Sequence, residues 1–304
     1  MFWSKIIIRL INLSIRQATR NPDYSNIVYF RRALEKLAGR DRLPLQGVSF
    51  RPEIINDLEA EWIIPRGAPK DLVVLYFHGG GYATGSISTH RKWVGYLAQK
   101  TGIQYLLFNY RLAPEHIFPA PLDDALSIWN HLLQNGFQPE QIGFAGDSAG
   151  GGLATATMLL LRDRHMPLPA CAYLCCPWLD MTGRNPSWKE NRRHDHMVPY
   201  DGLVVWAKNY LGQTDVGHPY ASPVFAELDG LPPLHIQVGE RESLRDDSLI
   251  FSDKARRAGV SVDLYVGEGM THCWQSFWRF LPAGRSANRQ AGHFLRQKLI
   301  PQGV

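Results

Sequence analysis

The chain has 304 residues, of which 45% are hydrophobic and 20% are charged, so it can bury a sizeable core and is not a disordered protein. The length permits one large α/β domain or two ordinary ones. The net charge of +5 is spread along the chain, and basic pairs such as Arg192-Arg193 lack the aromatic-basic signature of nucleic-acid binding, which disfavours a nucleic acid partner.

The first twenty residues, M-F-W-S-K-I-I-I-R-L-I-N-L-S-I-R-Q-A-T-R, are apolar with basic interruptions at Lys5, Arg9 and Arg16. These charges break the apolar run too early for a membrane span, and the order of charges and small residues does not fit a signal peptide. The pattern fits an amphipathic basic helix. Packing of its apolar face on the body of the protein is the favoured interpretation, and peripheral membrane contact or covering of a pocket is the alternative.

Strand and helix patterns alternate from Asp71 onward. The predicted strands are short apolar runs of the kind that is buried on both faces of a sheet, at 71–77, 103–110, 141–146, 170–177, 233–239 and 260–266. Amphipathic stretches of helix length lie between them, at 89–100, 122–133, 150–163 and 244–257. Such alternation predicts a mostly parallel central sheet with helices on both faces. Ahead of it, 48–55 and 58–64 are predicted to pair antiparallel at one edge.

Two segments do not follow the alternation. Residues 1 to about 45 have helical patterns, and residues 183–222 lack a strand pattern but contain a helix-like stretch at 202–211. An insertion between sheet elements often makes a lid. We therefore predict a single domain over 1–304, with a helical cap formed by about 1–45 and 183–222.

A run of glycines follows the first buried strand, in Y-F-H-G-G-G-Y at His78 to Gly81. Consecutive glycines allow backbone N–H groups to point into a cavity. Placed upstream of a nucleophilic serine, such a run is typical of the oxyanion loop of lipases and esterases.

The stretch G-D-S-A-G surrounds Ser148 between a predicted strand and a predicted helix. Strand, sharp turn and helix match the G-x-S-x-G nucleophile elbow, in which a Cβ at Gly146 or Gly150 would collide with neighbouring elements. The alternative is a turn serine that caps the helix. We interpret Asp147 as structural rather than catalytic.

Four cysteines are present, three of them in the apolar run A-C-A-Y-L-C-C-P. No C-x-x-C pair or zinc-ligand spacing accompanies them, so Cys171, Cys175, Cys176 and Cys273 are predicted to be free buried thiols in a reducing compartment. We expect a cytoplasmic protein.

A catalytic acid should follow the strand 233–239, where the sequence is V-G-E-R-E-S-L-R-D-D-S. Asp246 and Asp247 lie in the first turns of a predicted helix, where they suit the helix dipole without a catalytic role. Glu240 and Glu242 lie in the loop, and the pattern alone does not separate them.

The catalytic base should be a histidine that follows the acid in the sequence, because the fold that carries a G-x-S-x-G elbow orders its triad as Ser, acid, His. His272, in E-G-M-T-H-C-W, follows the last strand and precedes a helix. His293 comes later but falls within a helical pattern at 286–299 and is expected at the surface. Four further histidines precede the acid and fail the order, namely His165, His194, His196 and His218.

Together these motifs resemble the hormone-sensitive-lipase-like family of microbial carboxylesterases, within the α/β-hydrolase fold. The resemblance covers nearly the whole chain from about Leu45 and rests on H-G-G-G-Y at His78, Y-R-L-A-P-E-H-I-F-P-A-P-L-D-D-A from Tyr110, G-D-S-A-G-G at Gly146 and G-M-T-H at Gly269. It implies an oxyanion hole made by the amides of Gly80, Gly81 and Ala149.

The resemblance also bears on the acid. Relatives often read D-P-L-R-D-E, with the first Asp as the acid, and aligning L-R-D puts Glu242 in that slot. Others read D-E-x-L, which would put Arg241 there, and arginine cannot serve. The resemblance therefore implies Glu242 in place of the more usual aspartate, with Asp246 and Glu240 as alternatives.

The implied activity is hydrolysis of short to medium acyl esters by Ser148, His272 and Glu242, without a metal or organic cofactor. Acyl transfer to another acceptor, or amide hydrolysis, on the same triad is the alternative. A non-catalytic receptor of this fold is disfavoured because such receptors lose the histidine. The expected partner is a small-molecule ester, and the family suggests a homodimer through the edge of the last strand.

Overall fold

The computed structural model describes residues 2–18, 23–39 and 43–300, and within them eight strands form one sheet. The strands are β1 (Val48–Ile55), β2 (Leu58–Pro65), β3 (Val73–Phe77), β4 (Gln104–Phe108), β5 (Ile142–Asp147), β6 (Cys171–Cys175), β7 (Leu234–Gly239) and β8 (Val262–Gly267). Their spatial order is β1-β2-β4-β3-β5-β6-β7-β8.

Helices connect and flank the strands. They are α1 (Phe2–Ala18), α2 (Ile27–Ala38), α3 (Ile87–Thr101), α4 (Ala120–Gln134), α5 (Ala149–Asp163), α6 (Pro186–Glu190), α7 (Tyr200–Leu211), α8 (Arg245–Arg257) and α9 (Pro282–Leu299). The predicted strand–helix alternation is thus confirmed.

The sheet is parallel from β4 through β3, β5, β6 and β7 to β8, whereas β2 runs antiparallel to both β1 and β4. The β1–β2 hairpin turns through Asn56 and Asp57, whose φ angles are 49° and 67°. A two-residue turn with both φ positive is the type I′ turn that matches strand twist, and Asn and Asp tolerate it. The predicted antiparallel pair at the edge is confirmed.

The period-two alternation of the central strands divides the core into two layers. In β3, Val73, Leu75 and Phe77 face the layer that α4, α5 and α8 cover. Val74 and Tyr76 face the layer that α3 and α9 cover. Helices therefore lie on both faces, and the carboxyl ends of the parallel strands are left to carry a site.

The last strand departs from the prediction of burial on both faces. Among the described strands β8 pairs with β7 alone, and its residues are mostly half-buried or exposed, with Val266 exposed. The apolar run was sufficient to predict a strand but could not distinguish an edge strand from a central one.

The two segments that broke the alternation are helical where the structure describes them. α1 and α2 cover most of the first, with residues 1, 19–22 and 40–42 outside the described residues. The described residues 183–222 contain α6 and α7 without a strand. None of the described helices is long and apolar enough to cross a membrane.

Candidate active site

Ser148 stands at the sharp turn between β5 and α5, with φ of 54° and ψ of −124°. Positive φ is uncommon for a residue with a side chain, and such strain persists only when the surroundings impose it. Here the surroundings are close: a Cβ at Gly150 would lie 2.0 Å from the Phe77 carbonyl oxygen, and one at Gly146 would lie 2.6 Å from the Gly150 carbonyl oxygen. The small neighbours are therefore required by the packing of this turn.

Backbone hydrogen bonds fix the turn at Ser148. Its amide donates to the Cys175 carbonyl at 2.9 Å, and its carbonyl accepts from the Gly152 and Trp178 amides. Its hydroxyl does not cap α5. The alternative of a helix-capping serine is therefore wrong, and the hydroxyl stays available for chemistry.

The glycine loop after β3 has the backbone that only glycine adopts readily, with φ of 124° at Gly80 and 63° at Gly81. The Gly80 carbonyl accepts from the Ala83 and Thr84 amides, which turns the loop back on itself. Among the turn and loop hydrogen bonds of the described residues, none uses the Gly80, Gly81 or Ala149 amide as a donor. The three amides are therefore not engaged in these bonds, as the predicted oxyanion hole requires.

Asp147, next to the serine, anchors the glycine loop from below. One of its oxygens accepts from the Tyr76 hydroxyl at 2.9 Å and from the Gly79 amide at 3.0 Å, and the other lies 3.4 Å from His90 Nε2. Burial disfavours the charged form of Asp147, but His90 and the Tyr76 hydroxyl outweigh the effect of burial and hold the pKa of Asp147 below its usual value. Both oxygens of the Asp147 carboxylate therefore have structural partners, which agrees with the structural role predicted from the sequence.

His272 lies in the loop after β8, and its Nδ1 is 3.1 Å from Glu242 Oε1. The second Glu242 oxygen accepts from the Gly239 amide at 2.6 Å, at the end of β7. Both side chains are buried. The carboxylate is therefore held at both oxygens, and the imidazole is held by its Nδ1 so that Nε2 is the free nitrogen.

The other candidate acids have different partners. Glu240 accepts from the Gly269 amide at 2.7 Å, and Asp246 accepts from the Ser187 amide. Asp247 is fully buried and accepts from two amides and two side chains, those of Leu179, Asp180, Asn185 and Trp188. Of the four candidates, only Glu242 contacts His272. The later histidine, His293, is exposed on α9.

The elements that carry the serine and the histidine meet beside the elbow. Cys273, which follows His272, places its Sγ 3.9 Å from Asp147 Oδ2, next to Ser148. Among the residues that the structure describes, no hydrogen bond joins the Ser148 hydroxyl to His272. Catalytic hydrogen bonds are often long without substrate and tighten when it binds.

The buried Glu242–His272 pair changes the protonation of the imidazole. Burial disfavours the imidazolium, but the Glu242 carboxylate outweighs this, and the pKa of His272 is raised to about 9. Burial, with a smaller effect of Cys176, raises the pKa of Glu242 to about 8, and the imidazolium opposes this shift. The pair is therefore arranged to stabilise a positive charge on the base.

Aromatic side chains lie over the glycine loop. A Cβ at Gly81 would lie 3.0 Å from Cε3 of Trp206, which projects from α7. The Trp206 ring makes edge contacts with Tyr24 and Phe30, from the segment at α2. An apolar wall thus stands beside the predicted oxyanion site.

The Sγ atoms of Cys175, Cys176 and Cys273 lie within 4.8 Å of one another, and Cys176 Sγ also lies within 4.8 Å of ligand atoms of Glu242 and His272. The Cys273 amide donates to Cys176 Sγ at 3.3 Å. Like Cys171, all three are free and buried, as the sequence predicted. We assign them to packing around the histidine loop.

An open groove of about 820 Å³ lies elsewhere, at the β1–β2 edge of the sheet. Its lining, which includes Arg51, Trp62, Arg66 and His131, contains none of the predicted site residues. Size alone does not make it the active site, and the serine in its lining, Ser49, donates its hydroxyl to the Ile64 carbonyl and not to a histidine.

The sequence did not point to two groups near the site. His90, on α3, contacts Asp147, and Asp195, in the segment between α6 and α7, lies buried beside the acid loop. Each is separated by about fifty residues from its partner, and no local motif marks such a contact.

A family model described as alpha/beta hydrolase fold matches residues 74–276, which include all six predicted site residues. An acetyl-hydrolase of Streptomyces hygroscopicus is 41% identical over 243 residues, 80% of this chain and 81% of that protein. An esterase of Acinetobacter venetianus is 35% identical over 248 residues, 81% of this chain and 82% of that protein.

Solved structures are similar over almost the full length. A crystal structure of EstE5 soaked with p-nitrophenyl butyrate has a TM-score of 0.92 at 38% identity, covering 97% of this chain and 99% of that one. An esterase from the bacterial hormone-sensitive lipase family has a TM-score of 0.91 at 39% identity, covering 96% and 98%.

Proposed function

Because the chain belongs to the alpha/beta hydrolase family, within its hormone-sensitive-lipase-like group, and is a carboxylic ester hydrolase, we propose that Ser148, His272 and Glu242 form its catalytic triad. The observations that carry this proposal are the buried contact of 3.1 Å between His272 Nδ1 and Glu242 Oε1 and the strained backbone of Ser148, whose hydroxyl does not cap its helix. A serine hydroxyl is a poor nucleophile until a base takes its proton.

In the first half of the reaction, His272 Nε2 accepts the Ser148 proton while Oγ attacks the ester carbonyl carbon. The amides of Gly80, Gly81 and Ala149 donate to the oxyanion that forms, and Glu242 stabilises the imidazolium. The tetrahedral intermediate collapses as the bond to the alkoxy oxygen breaks. His272 returns the proton to that oxygen, and the alcohol leaves an acyl-enzyme on Ser148.

In the second half, water attacks the acyl carbon and gives a proton to His272. The bond to Ser148 Oγ breaks, Oγ takes the proton back, and the carboxylic acid leaves. Every proton moves between Oγ, Nε2, water and the leaving group.

We propose that the acyl groups are short to medium in length. The wall that Trp206 makes beside Gly81 supports this, because it limits the space next to the oxyanion site. The similar proteins include an acetyl-hydrolase and an esterase crystal that was soaked with p-nitrophenyl butyrate.

The test is hydrolysis of p-nitrophenyl esters from acetate to dodecanoate by the wild type and by Ser148→Ala. The proposal expects the variant to lose activity by several orders of magnitude at every chain length while its melting temperature is retained. Substantial turnover by a folded Ser148→Ala would refute the role of the serine. Comparing each ester with its anilide and adding alcohol acceptors separates ester hydrolysis from amidase and acyltransferase activity on the same triad.

We also propose that the domain is single and that the segments 1–45 and 183–222 cap the site, in so far as they lie among the described residues. Supporting contacts come from Trp206 over the glycine loop, and from Arg31 of α2, whose guanidinium donates to the Ala83 and Ala113 carbonyls. Limited proteolysis tests this, since ester or phosphonate bound at Ser148 should protect these segments from cleavage.

We further propose peripheral membrane contact, a homodimer and a cytoplasmic location. Peripheral membrane contact through α1 is supported by its exposed Trp3, Leu10 and Leu13, and vesicle flotation with and without residues 1–20 tests it. A homodimer through β8 is supported by the open edge of that strand, and light scattering tests it. Cytoplasmic location is supported by the four free thiols, and cell fractionation tests it.

A further inference from the structure

A buried carboxylate from the segment between α6 and α7 lies next to the proposed triad. Asp195 has no solvent exposure, and its two oxygens accept three backbone hydrogen bonds. Oδ1 accepts from the Met197 and Val198 amides, both at 3.1 Å, which closes the local turn. Oδ2 accepts from the Ser243 amide at 2.9 Å. Asp195 thus joins its own segment to the residue that follows Glu242.

Further bonds connect the same two segments. The Ser243 hydroxyl donates to the Val198 carbonyl at 2.8 Å, and Asn191 Nδ2 donates to the Glu242 carbonyl at 2.9 Å. The loop that carries the acid is therefore held on one side by β7, through Gly239, and on the other by the segment 191–198.

The charge of Asp195 also acts on the Glu242–His272 pair. No Lys or Arg among the described residues forms an ion pair with Asp195, and burial of an unpaired carboxylate is costly. Three amides offset part of that cost, and the charge of His272 also favours the ionised carboxylate. Burial raises the pKa of Asp195 to about 6, with His272 opposing the shift. The groups that act on His272 are Glu242 from the acid loop, Cys176 from the loop after β6, and Asp195.

We propose that Asp195 is a positioning residue for the reaction: it fixes the acid loop through the Ser243 amide and places a second negative charge beside His272. This inference deepens the proposed function and rests on it. Its consequence is that the 183–222 segment acts on catalysis as well as on substrate access, because displacing Asp195 would loosen Glu242 and remove charge from the surroundings of the imidazolium.

The experiment compares Asp195→Asn with the wild type in p-nitrophenyl butyrate hydrolysis over a pH series. Asparagine keeps the size but removes the charge and one acceptor for the backbone amides, so kcat should fall about tenfold or more with KM changed less than about twofold. The acid limb of kcat/KM should move to lower pH, because a lost anion no longer favours the imidazolium. A merely structural aspartate would not move that limb.

The matched control is Asp180→Asn, since Asp180 is a buried carboxylate of the same region whose side chain accepts from the Thr182 amide. It should keep the wild-type acid limb. A folded Asp195→Asn with wild-type kcat and acid limb, or with a raised KM alone, overturns the inference. If Asp195→Asn does not fold, Asp195→Glu decides, because it keeps the charge but moves the carboxylate oxygens relative to the Ser243 amide: a lowered kcat at constant KM with the wild-type acid limb supports the inference, and a wild-type kcat overturns it.

Ser148→Ala, measured in parallel, separates the two levels. If it is inactive while Asp195→Asn behaves as the wild type, only this inference fails. If Ser148→Ala stays active, the triad proposal itself fails.

Discussion

At the scale of single residues, the proposed triad depends on Glu242, because each of its two carboxylate oxygens has a hydrogen-bond partner. One Glu242 oxygen accepts from the Gly239 amide and the other contacts His272 Nδ1, so the side chain cannot turn away from the imidazole without losing a buried hydrogen bond. A buried acceptor left without a donor costs about 1–3 kcal/mol. A glutamate can therefore serve where relatives of this group often have aspartate, because the backbone fixes the extra methylene.

We predict that Glu242→Gln lowers kcat by about three to four orders of magnitude, because an amide can hold His272 in the wrong tautomer and cannot stabilise the imidazolium. Glu240→Gln is the matched control: it lies two residues away, accepts from the Gly269 amide, and should stay within a few-fold of the wild type. Initial rates with p-nitrophenyl butyrate measure both. Full activity in Glu242→Gln would move the acid elsewhere.

The pH profile offers a second prediction at this scale. His272 acts as a base only when neutral, and pairing with Glu242 raises its pKa to about 9. Hydrolysis should therefore rise with pH through a limb well above 6.5, the ordinary pKa of histidine. Measuring kcat/KM from pH 5 to 10 tests this, and a limb at or below 6.5 would show that the carboxylate does not stabilise the imidazolium.

At the scale of elements, local signals were sufficient for most of what was predicted. Apolar runs and turn residues gave the strands and helices, and the strand–turn–helix context placed Ser148. What they could not give are the contacts between distant segments. Asp195 meets Ser243 across 48 residues of chain and His90 meets Asp147 across 57, and neither pairing has a periodic or spaced signature. The apolar pattern alone did not give the edge position of β8, which only the family resemblance suggested, because strand order is a property of the whole sheet.

Helix α7 supplies the prediction at this scale. Trp206 stands against Gly81, so Trp206→Ala should open space beside the acyl carbonyl. We expect the ratio of kcat/KM for octanoate to that for acetate to rise several-fold to tenfold, the size of effect that a few methylene contacts provide. Val204→Ala, an exposed change on the same helix, is the control and should leave the ratio unchanged. An unchanged ratio in Trp206→Ala would mean that the acyl chain lies elsewhere.

At the scale of the whole molecule, buried titratable groups link the site to acid stability. His78 is fully buried at the end of β3, and burial lowers its pKa to about 3. The unfolded chain, with a histidine pKa near 6.5, then binds more protons than the folded one between these values. The contribution of His78 to the free energy of unfolding is therefore fully present above about pH 6.5. It is lost as the pH falls toward 3, by up to about 4–5 kcal/mol.

We predict that urea unfolding of the wild type becomes easier from pH 7 to pH 4.5, and that His78→Gln shows a smaller dependence on pH. His293→Gln, an exposed change, should retain the wild-type slope. Equal slopes in all three proteins would show that His78 is not kept neutral by the fold.

The N-terminal helix α1 could pack on the domain or contact a membrane, and the structure has features that support each role. Ile8 is buried, Lys5 pairs with Glu268, and Asn12 Nδ2 donates to Thr271 Oγ1 at 3.3 Å, next to His272, whereas Leu10 and Leu13 are exposed. If packing dominates, deleting residues 1–22 should lower the melting temperature by about 5 °C or more, since burying one isoleucine contributes about 1.5–3 kcal/mol. The deletion should also lower kcat, because the loop that carries His272 loses its support.

A variant with Leu10→Ala and Leu13→Ala separates packing from membrane contact, because it alters only exposed side chains. It should keep the wild-type melting temperature and kcat in solution, and weaken flotation with anionic vesicles if α1 binds membranes. If the variant that lacks residues 1–22 kept the wild-type melting temperature and kcat, α1 would not contribute to the stability of the folded domain. The base would then be positioned by Glu242 and its surroundings without help from the first helix.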